Sequence, residues 1–204
     1  MKKIDYEKDL KQLYNSSAMK VEIVEVLPMN FLMIDGKGDP NKSQEFQDAV
    51  ESLFSISYTL KFMIKKSKEE IDYGVMPLEG LWWADDMSQF KIENKNIWKW
   101  TLMIMQPEYV TEKLFNEAVE QIKKKKKLTA LLNVRFEAFS EGKSAQIMHI
   151  GPFSEEGTTI EKLHNFIKDN GFNFFGKHHE IYLSDIRKAA PEKWKTIIRQ
   201  SIKV

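Results

Sequence analysis

Near the C-terminus the chain reads HHEIYLSD, from His178 to Asp185. On an extended strand successive side chains alternate between faces, so His178, Glu180 and Tyr182 share one side and His179, Ile181 and Leu183 the other. The Ile181/Leu183 side reads as core. The other side sets a carboxylate and a phenol about 7 Å apart in the middle of a strand. A glutamate there can serve as an acid, a base or the counter-charge of a cationic ligand. Desolvation among aromatics raises its pKa unless donors or a cation hold it ionised. A second acid-bearing segment is PLEGLWW (77–83), in which Glu79 precedes Trp82 and Trp83. Trp82, Trp83, Trp98 and Trp100 fall within one stretch of 19 residues. Tryptophans serve cores or flat-ligand sites; four so close together bring the second into view, with plain core packing an even alternative for any single one.

The elements that must position these residues follow from periodicity. Residues 1–19 are polar with scattered apolar positions and form an N-terminal arm or short helix. VEIVEV (21–26) alternates, LPMN turns, and FLMI (31–34) runs into the broken loop DGKGDPNK. From Ser43, read as the N-cap, Phe46, Val50, Leu53, Ser57, Leu60 and Ile64 recur at helical spacing to about Lys66. IDYGVMPLEGLWW (71–83) and NIWKWTLMIMQ (96–106) are strand-like and separated by the polar stretch ADDMSQFKIENK. On the second of these, Trp98, Trp100, Leu102 and Ile104 face one way, and Lys99, Thr101, Met103 and Met105 the other. A linking helix follows over about 107–127, with Pro107 in its first turn and lysines 123 to 127 at its end, where cations complement the helix dipole.

VRFEAF (134–139), SAQIMHI (144–150), the GPFSEEG loop, a helix carrying Ile160, Leu163, Phe166 and Ile167, the FNFFGKHHEIYLSD strand and a short Pro-initiated helix in PEKWKTIIRQ complete the chain. Both halves follow one script of strand, turn, strand, glycine loop, helix and strand, which predicts a degenerate duplication. The expected fold is α+β: a domain over 20–204 made of two pseudo-twofold βαββ-type repeats, about 20–106 and 133–204, around a central aromatic pocket. Two such half-sheets would curve about a cleft lined by aromatics and methionines with a few acids, the general recipe for a ligand site.

Composition narrows the function classes. The chain has 204 residues, 42% hydrophobic and 30% charged, with net charge +1 and no cysteine. There is no global electrostatic case for nucleic acid or an anionic membrane, and disulfides, thiolate catalysis and Cys-based metal sites are excluded. MKKIDYEKDLKQLY lacks the apolar stretch of a secretory signal, and no apolar run reaches the roughly 18 residues of a membrane span. A cytoplasmic protein is expected, with no cofactor. His178 and His179 point apart on a strand, so no metal site is expected.

PLEGLWW, QIMHIGPFSEEGTTI (146–160) and HHEIYLSD with its RKAAPEKWKTIIRQ tail resemble the GyrI-like small-molecule-binding family over about residues 20–204. That resemblance implies two βαββ-type repeats around a groove, and a glutamate of the HHEIY-like strand, here Glu180, facing the binding cavity with Tyr182 on the same side. Family members that activate transcription carry a DNA-binding helix-turn-helix, for which a 19-residue arm is too short. A stand-alone branch with the PLEGLWW signature resembles proteins that hydrolyse the strained cyclopropane of DNA-alkylating natural products.

Two principal readings use the same residues. In a cyclopropane hydrolase that detoxifies reactive genotoxins, Glu79 and Glu180 face each other across the pseudo-axis as acid and base in either order, and Tyr182 donates a hydrogen bond. Trp82, Trp83 and Trp100 form the slot walls, with His178, Met103 and Phe153 completing the lining; alternation leaves open which of Trp82 and Trp83 points inward. In a non-catalytic binding or sequestering module, or an effector-like sensor without its own DNA-binding domain, the glutamates are counter-charges and the tryptophans stack. A third class, shielding a macromolecular target, lacks a supporting surface patch. The partner is a hydrophobic planar small molecule, without direct nucleic acid or membrane, and monomer and homodimer both remain open. Plainer roles stand beside these: Glu79 capping a turn, and Glu180 pairing with Arg187.

Overall fold

The computed structural model describes residues 2–90 and 92–204, so Met1 of the arm and Lys91 of the ADDMSQFKIENK stretch lie outside the described residues. In chain order the elements begin with β1 (Lys2–Ile4), α1 (Tyr6–Asp9), α2 (Lys11–Tyr14), β2 (Glu22–Val26), β3 (Met29–Lys37) and α3 (Gln44–Lys65). They continue with β4 (Ile71–Tyr73), β5 (Leu78–Trp83), β6 (Lys99–Gln106), α4 (Glu112–Lys123), β7 (Arg135–Phe139) and β8 (Gly142–Ile150). The last are α5 (Gly157–Asp169), β9 (Asn173–Tyr182) and β10 (Lys195–Lys203). The mixture of long helices and mainly antiparallel strands is the expected α+β class.

The chain divides into two compact units. The first comprises the N-terminal residues through Tyr6, Met29–Leu78 and Trp82–Phe139. In it β3 pairs antiparallel with β6 on one side and β7 on the other, while β1 and β4 form a short parallel pair. The Ser43 hydroxyl accepts from Phe46 N–H and starts α3, satisfying one of the donors a helix leaves open at its N-terminus. Ala49, Leu53, Ile56, Leu60 and Ile64 form its buried stripe. Trp100 projects from β6 across Gly36, where a Cβ would come within 2.1 Å of the indole.

The second unit comprises Glu7–Pro28, Glu79–Leu81 and Ser140–Val204. Its strands run in the order β2-β8-β10-β9, followed by the Glu79–Leu81 part of β5. Helix α5 covers one face, burying Leu163 and Ile167 against Ala145, Ile147, Ile198 and Ile202. β9 carries an irregularity opposite Gln200 and Ser201. Gly176 sits there at φ +69°, where a Cβ would stand 3.2 Å from the Ser201 hydroxyl. A left-handed backbone at that point suits glycine.

The connectivity has a feature periodicity does not show. β2 precedes β3 in the chain yet pairs with β8, and β7 precedes β8 yet pairs with β3. Three element assignments change. PEKWKTIIRQ is a single 3-10 turn, Pro191–Lys193, followed by β10; β-branched Thr196, Ile197 and Ile198 favour a strand, and Pro191 initiates only the turn. The linking helix starts later, where Thr111 caps Glu112–Lys123 and its hydroxyl accepts from Leu114 N–H; Pro107 lies ahead of it. IDYGVMPLEGLWW is two strands, β4 and β5, interrupted from Gly74 to Pro77.

Candidate functional site

β9 brings two titratable clusters into the second unit, one on each face. The alternation of HHEIY holds, so His178, Glu180 and Tyr182 share the side on which Glu180 lies opposite Ile198 of the α5-covered core. His179 and Ile181 point the other way.

On the α5 side both oxygens of Glu180 are engaged. His178 Nε2 lies 3.0 Å from Oε1, and Tyr182 Oη donates to Oε2 at 2.7 Å. Burial alone would raise the Glu180 pKa, but the His178 and Tyr182 hydrogen bonds outweigh it and hold the carboxyl below its ordinary range. Glu180 is therefore a carboxylate at neutral pH, suited to counter-charge or base rather than to acid. Phe153 meets Tyr182 edge-on at 5.7 Å between centroids and lies 5.0 Å from the Trp194 ring. Both the Glu180 side chain, 16% exposed, and the half-open Phe153 keep access to solvent. Arg187 pairs with Asp185, Nε lying 2.9 Å from Oδ1.

The opposite face carries a row of polar residues in register across four strands: Glu22, Gln146, Arg199 and His179. His179 lies between two carboxylates, Nε2 3.0 Å from Glu79 Oε2 and Nδ1 2.8 Å from Glu141 Oε2. Two acceptors require two donors, so this imidazole is the charged form. Burial opposes that charge, but Glu141 and then Glu79 outweigh it and raise the His179 pKa to about 9. Burial likewise opposes the Glu141 charge, yet His179 and Arg199 bring its pKa down to about 2. Arg199 Nη1 donates to Glu141 at 3.3 Å and Nε to Gln146 at 2.9 Å. Two cations thus balance two carboxylates, a condition for keeping such charges away from water.

The same row clamps the N-terminal arm. Arg199 Nη2 donates to Leu13 O at 2.7 Å, Gln146 Nε2 to Gln12 O at 2.8 Å, and Tyr14 Oη to Glu79 Oε1 at 2.7 Å. Ser16 Oγ and Ser17 N donate to Glu22. Burial and the adjacent Glu79 charge push the Tyr14 phenol well above its ordinary pKa, so it stays a donor. Among the described residues no cluster of His, Asp or Glu is arranged to hold a metal; His179 bridges the acids itself.

Of the residues singled out by sequence, the structure brings together His178, Glu180, Tyr182 and Phe153. It separates Glu79 from Glu180: Glu79 belongs to β5, is fully buried and lies on the His179 side. The facing pair is thereby corrected, because adjacent residues of β9 cannot offer their partners to one face. Nor does Glu79 cap a turn; it is a strand residue. In the first unit Trp82 stacks on Phe46 at 6.0 Å, and Phe46 meets Trp100 edge-on at 5.3 Å. Trp82 is thus turned toward α3, while Trp83 remains half-buried. Trp100 packs against Phe46 and Gly36, and Met103 is likewise without exposed surface, so both serve the core of the first unit rather than the slot walls expected of them. Sequence reading missed Tyr14, Glu141, Gln146, His179 and Arg199. Polar residues placed mid-strand, as in TIIRQ and SAQIM, were the available signal.

The α+β fold thus carries a half-buried carboxylate held by His178 and Tyr182. The chain belongs to the GyrI-like small molecule binding domain family, which matches residues 19–203. It is similar over nearly its whole length to solved structures from Listeria innocua. One is an uncharacterized conserved protein, 43% identical, with TM-score 0.90, covering 98% of this chain and 100% of that one. Another is a hydrolase encoded by lin2189, 42% identical, with TM-score 0.89, covering 99% and 100%. The EcmrR C-terminal domain, 14% identical with TM-score 0.55 over 90% of this chain and 97% of that one, shares the fold alone. No functionally curated protein shows significant similarity to the chain. Among the described residues no helix is long and apolar enough to cross a membrane.

Proposed function

We propose that the chain binds a planar aromatic ligand beside Glu180 and hydrolyses a strained cyclopropane in it, disarming a reactive genotoxin. The observation that carries this is the Glu180 carboxylate, held ionised and oriented by His178 and Tyr182, with Phe153 packed on Tyr182 and Trp194 on Phe153. A Listeria innocua relative described as a hydrolase, at 42% identity, supports turnover.

In the reaction, a water oxygen bonds to a ring carbon as one of its protons passes to Glu180. The ring C–C bond breaks, its electron pair moves into a conjugated carbonyl, and the resulting oxyanion takes up a proton from solvent. Orienting one water against a bound electrophile supplies much of the acceleration. Glu79 is not part of this step; it neutralises His179 and holds Tyr14.

A second reading, binding without turnover, is favoured by the engagement of both Glu180 oxygens. A carboxylate accepting two hydrogen bonds is a weaker base and a well-placed counter-charge. Mass spectrometry separates the two. A planar aromatic enone bearing a fused cyclopropane is incubated with trace protein beside Glu180→Gln and a protein-free control. Product carrying one added water, in large excess over protein and absent with the variant, is expected. Compound retained but unconsumed sinks the hydrolase and leaves the binding module.

A further inference from the structure

On the α5 side of the second unit the buried hydroxyl of Thr196 remains unexplained. Thr196 of β10 lies directly opposite His149 of β8 and Tyr182 of β9, so its side chain shares their face. It is 1% exposed, and its Oγ1 has no hydrogen-bond partner among the described residues. Its row-mates are committed elsewhere. His149 uses Nδ1 on Thr159 Oγ1 at 2.9 Å and Nε2 on Pro152 O at 3.2 Å, and the Tyr182 proton goes to Glu180. A buried hydroxyl without a partner forfeits its hydrogen bonds to water and gains none in return. Such groups in native folds call for an explanation, a catalytic role or a bound water or ion among the recognised ones.

Register supplies one. Glu180 is two residues from Tyr182 on the same face, hence diagonal to Thr196, at about 7–8 Å between such positions. Phe153 already packs edge-on against Tyr182 at 5.7 Å between centroids, so a planar ligand that meets both groups enters beside that ring rather than between it and the strands. Glu180 accepts whatever the ligand or its attacking water donates. The Thr196 hydroxyl has a proton to give, and its complement is an oxygen acceptor.

We propose that Thr196 is a further ligand-contacting residue of the Glu180 site, donating a hydrogen bond to a carbonyl oxygen of the bound molecule. The ligand class then narrows to planar aromatic ketones and enones. This rests on the reading of Glu180 as the ligand site. In turnover the same hydroxyl would stabilise the oxyanion formed as the ring opens, an interaction whose loss costs about 10²-fold in turnover number in comparable cases.

The test uses two planar probes that differ by one carbonyl, fluorenone and fluorene, titrated calorimetrically against the full chain and its Thr196→Val, Thr196→Ser and Glu180→Gln variants. Valine keeps the shape and removes the hydroxyl; serine keeps the hydroxyl. Wild type and Thr196→Ser are expected to prefer fluorenone, and Thr196→Val to lose that preference, by about five- to tenfold, while holding fluorene as before and melting no lower. An unchanged fluorenone preference in Thr196→Val overturns the proposal while leaving the Glu180 site intact. Binding of both probes that ignores Glu180→Gln as well as Thr196→Val overturns the site reading, and the proposal with it. So does binding of neither probe to any form.

Discussion

Glu79 and Glu180 lie on opposite faces of β9: Glu79 bonds the His179 ring, and Glu180, the next residue along, turns away between His178 and Tyr182. Substitutions should therefore separate cleanly. Glu180→Gln is expected to weaken binding of a planar aromatic cation, proflavine, by tenfold or more, with little change in melting temperature. Glu79→Gln is expected to leave binding in place but to destabilise the fold by about 3–5 kcal/mol, since it leaves two buried cations, His179 and Arg199, facing the single carboxylate of Glu141. Fluorescence titration and thermal melts of both variants check this; equal loss of binding in the two would refute the separation.

Stability should depend on pH on both sides of neutrality. His179 has a folded-state pKa of about 9 against an ordinary 6.5. A raised value means its contribution is fully present below 6.5 and is lost as pH rises through about 9. Glu141 is depressed to about 2 from 4.5, so its contribution is present above 4.5 and lost as pH falls through about 2. The alkaline limb should amount to a few kcal/mol and flatten in His179→Asn. Denaturant unfolding between pH 6 and 10 decides it, and an alkaline limb that persists in the variant removes His179 as its cause.

The arm should loosen when one of its anchors goes. Tyr14→Phe deletes the donor to Glu79 without changing ring volume, and the loss of a buried hydrogen bond to a charged group is expected to cost about 1–3 kcal/mol. Hydrogen exchange at residues 12–17 should accelerate more than in the α3 core. Uniform acceleration would mean that the arm is not a separate cooperative piece.

Gly36→Ala is expected to destabilise the first unit by about 1–3 kcal/mol through overpacking. The new methyl would overlap the Trp100 indole at 2.1–2.6 Å, and that side chain is fully buried and packed edge-on against Phe46. A red shift of tryptophan emission should accompany the lower melting temperature; an unchanged spectrum and melt would show that the contact relaxes freely.

Much of this protein is legible along the chain because alternation and helical period are local properties. The strands around VEIVEV and SAQIMHI, helix α3 from Ser43, and the facing of His178, Glu180 and Tyr182 all follow from spacing that backbone geometry enforces residue by residue. The same logic failed at PEKWKTIIRQ, where the pattern of a short helix and of a buried strand overlap and only pairing with β8 and β9 chooses the strand. Partners across the chain were beyond spacing altogether. That Trp100 covers Gly36, that His179 joins Glu79 to Glu141, and that Arg199 holds Leu13 are contacts between residues tens to hundreds of positions apart. The polar row under the arm is stable only because each buried charge finds its opposite at hydrogen-bond distance, a condition set by the register of four strands at once. The sequence determined which groups were present and which side of each strand they took; tertiary structure decided which of them meet.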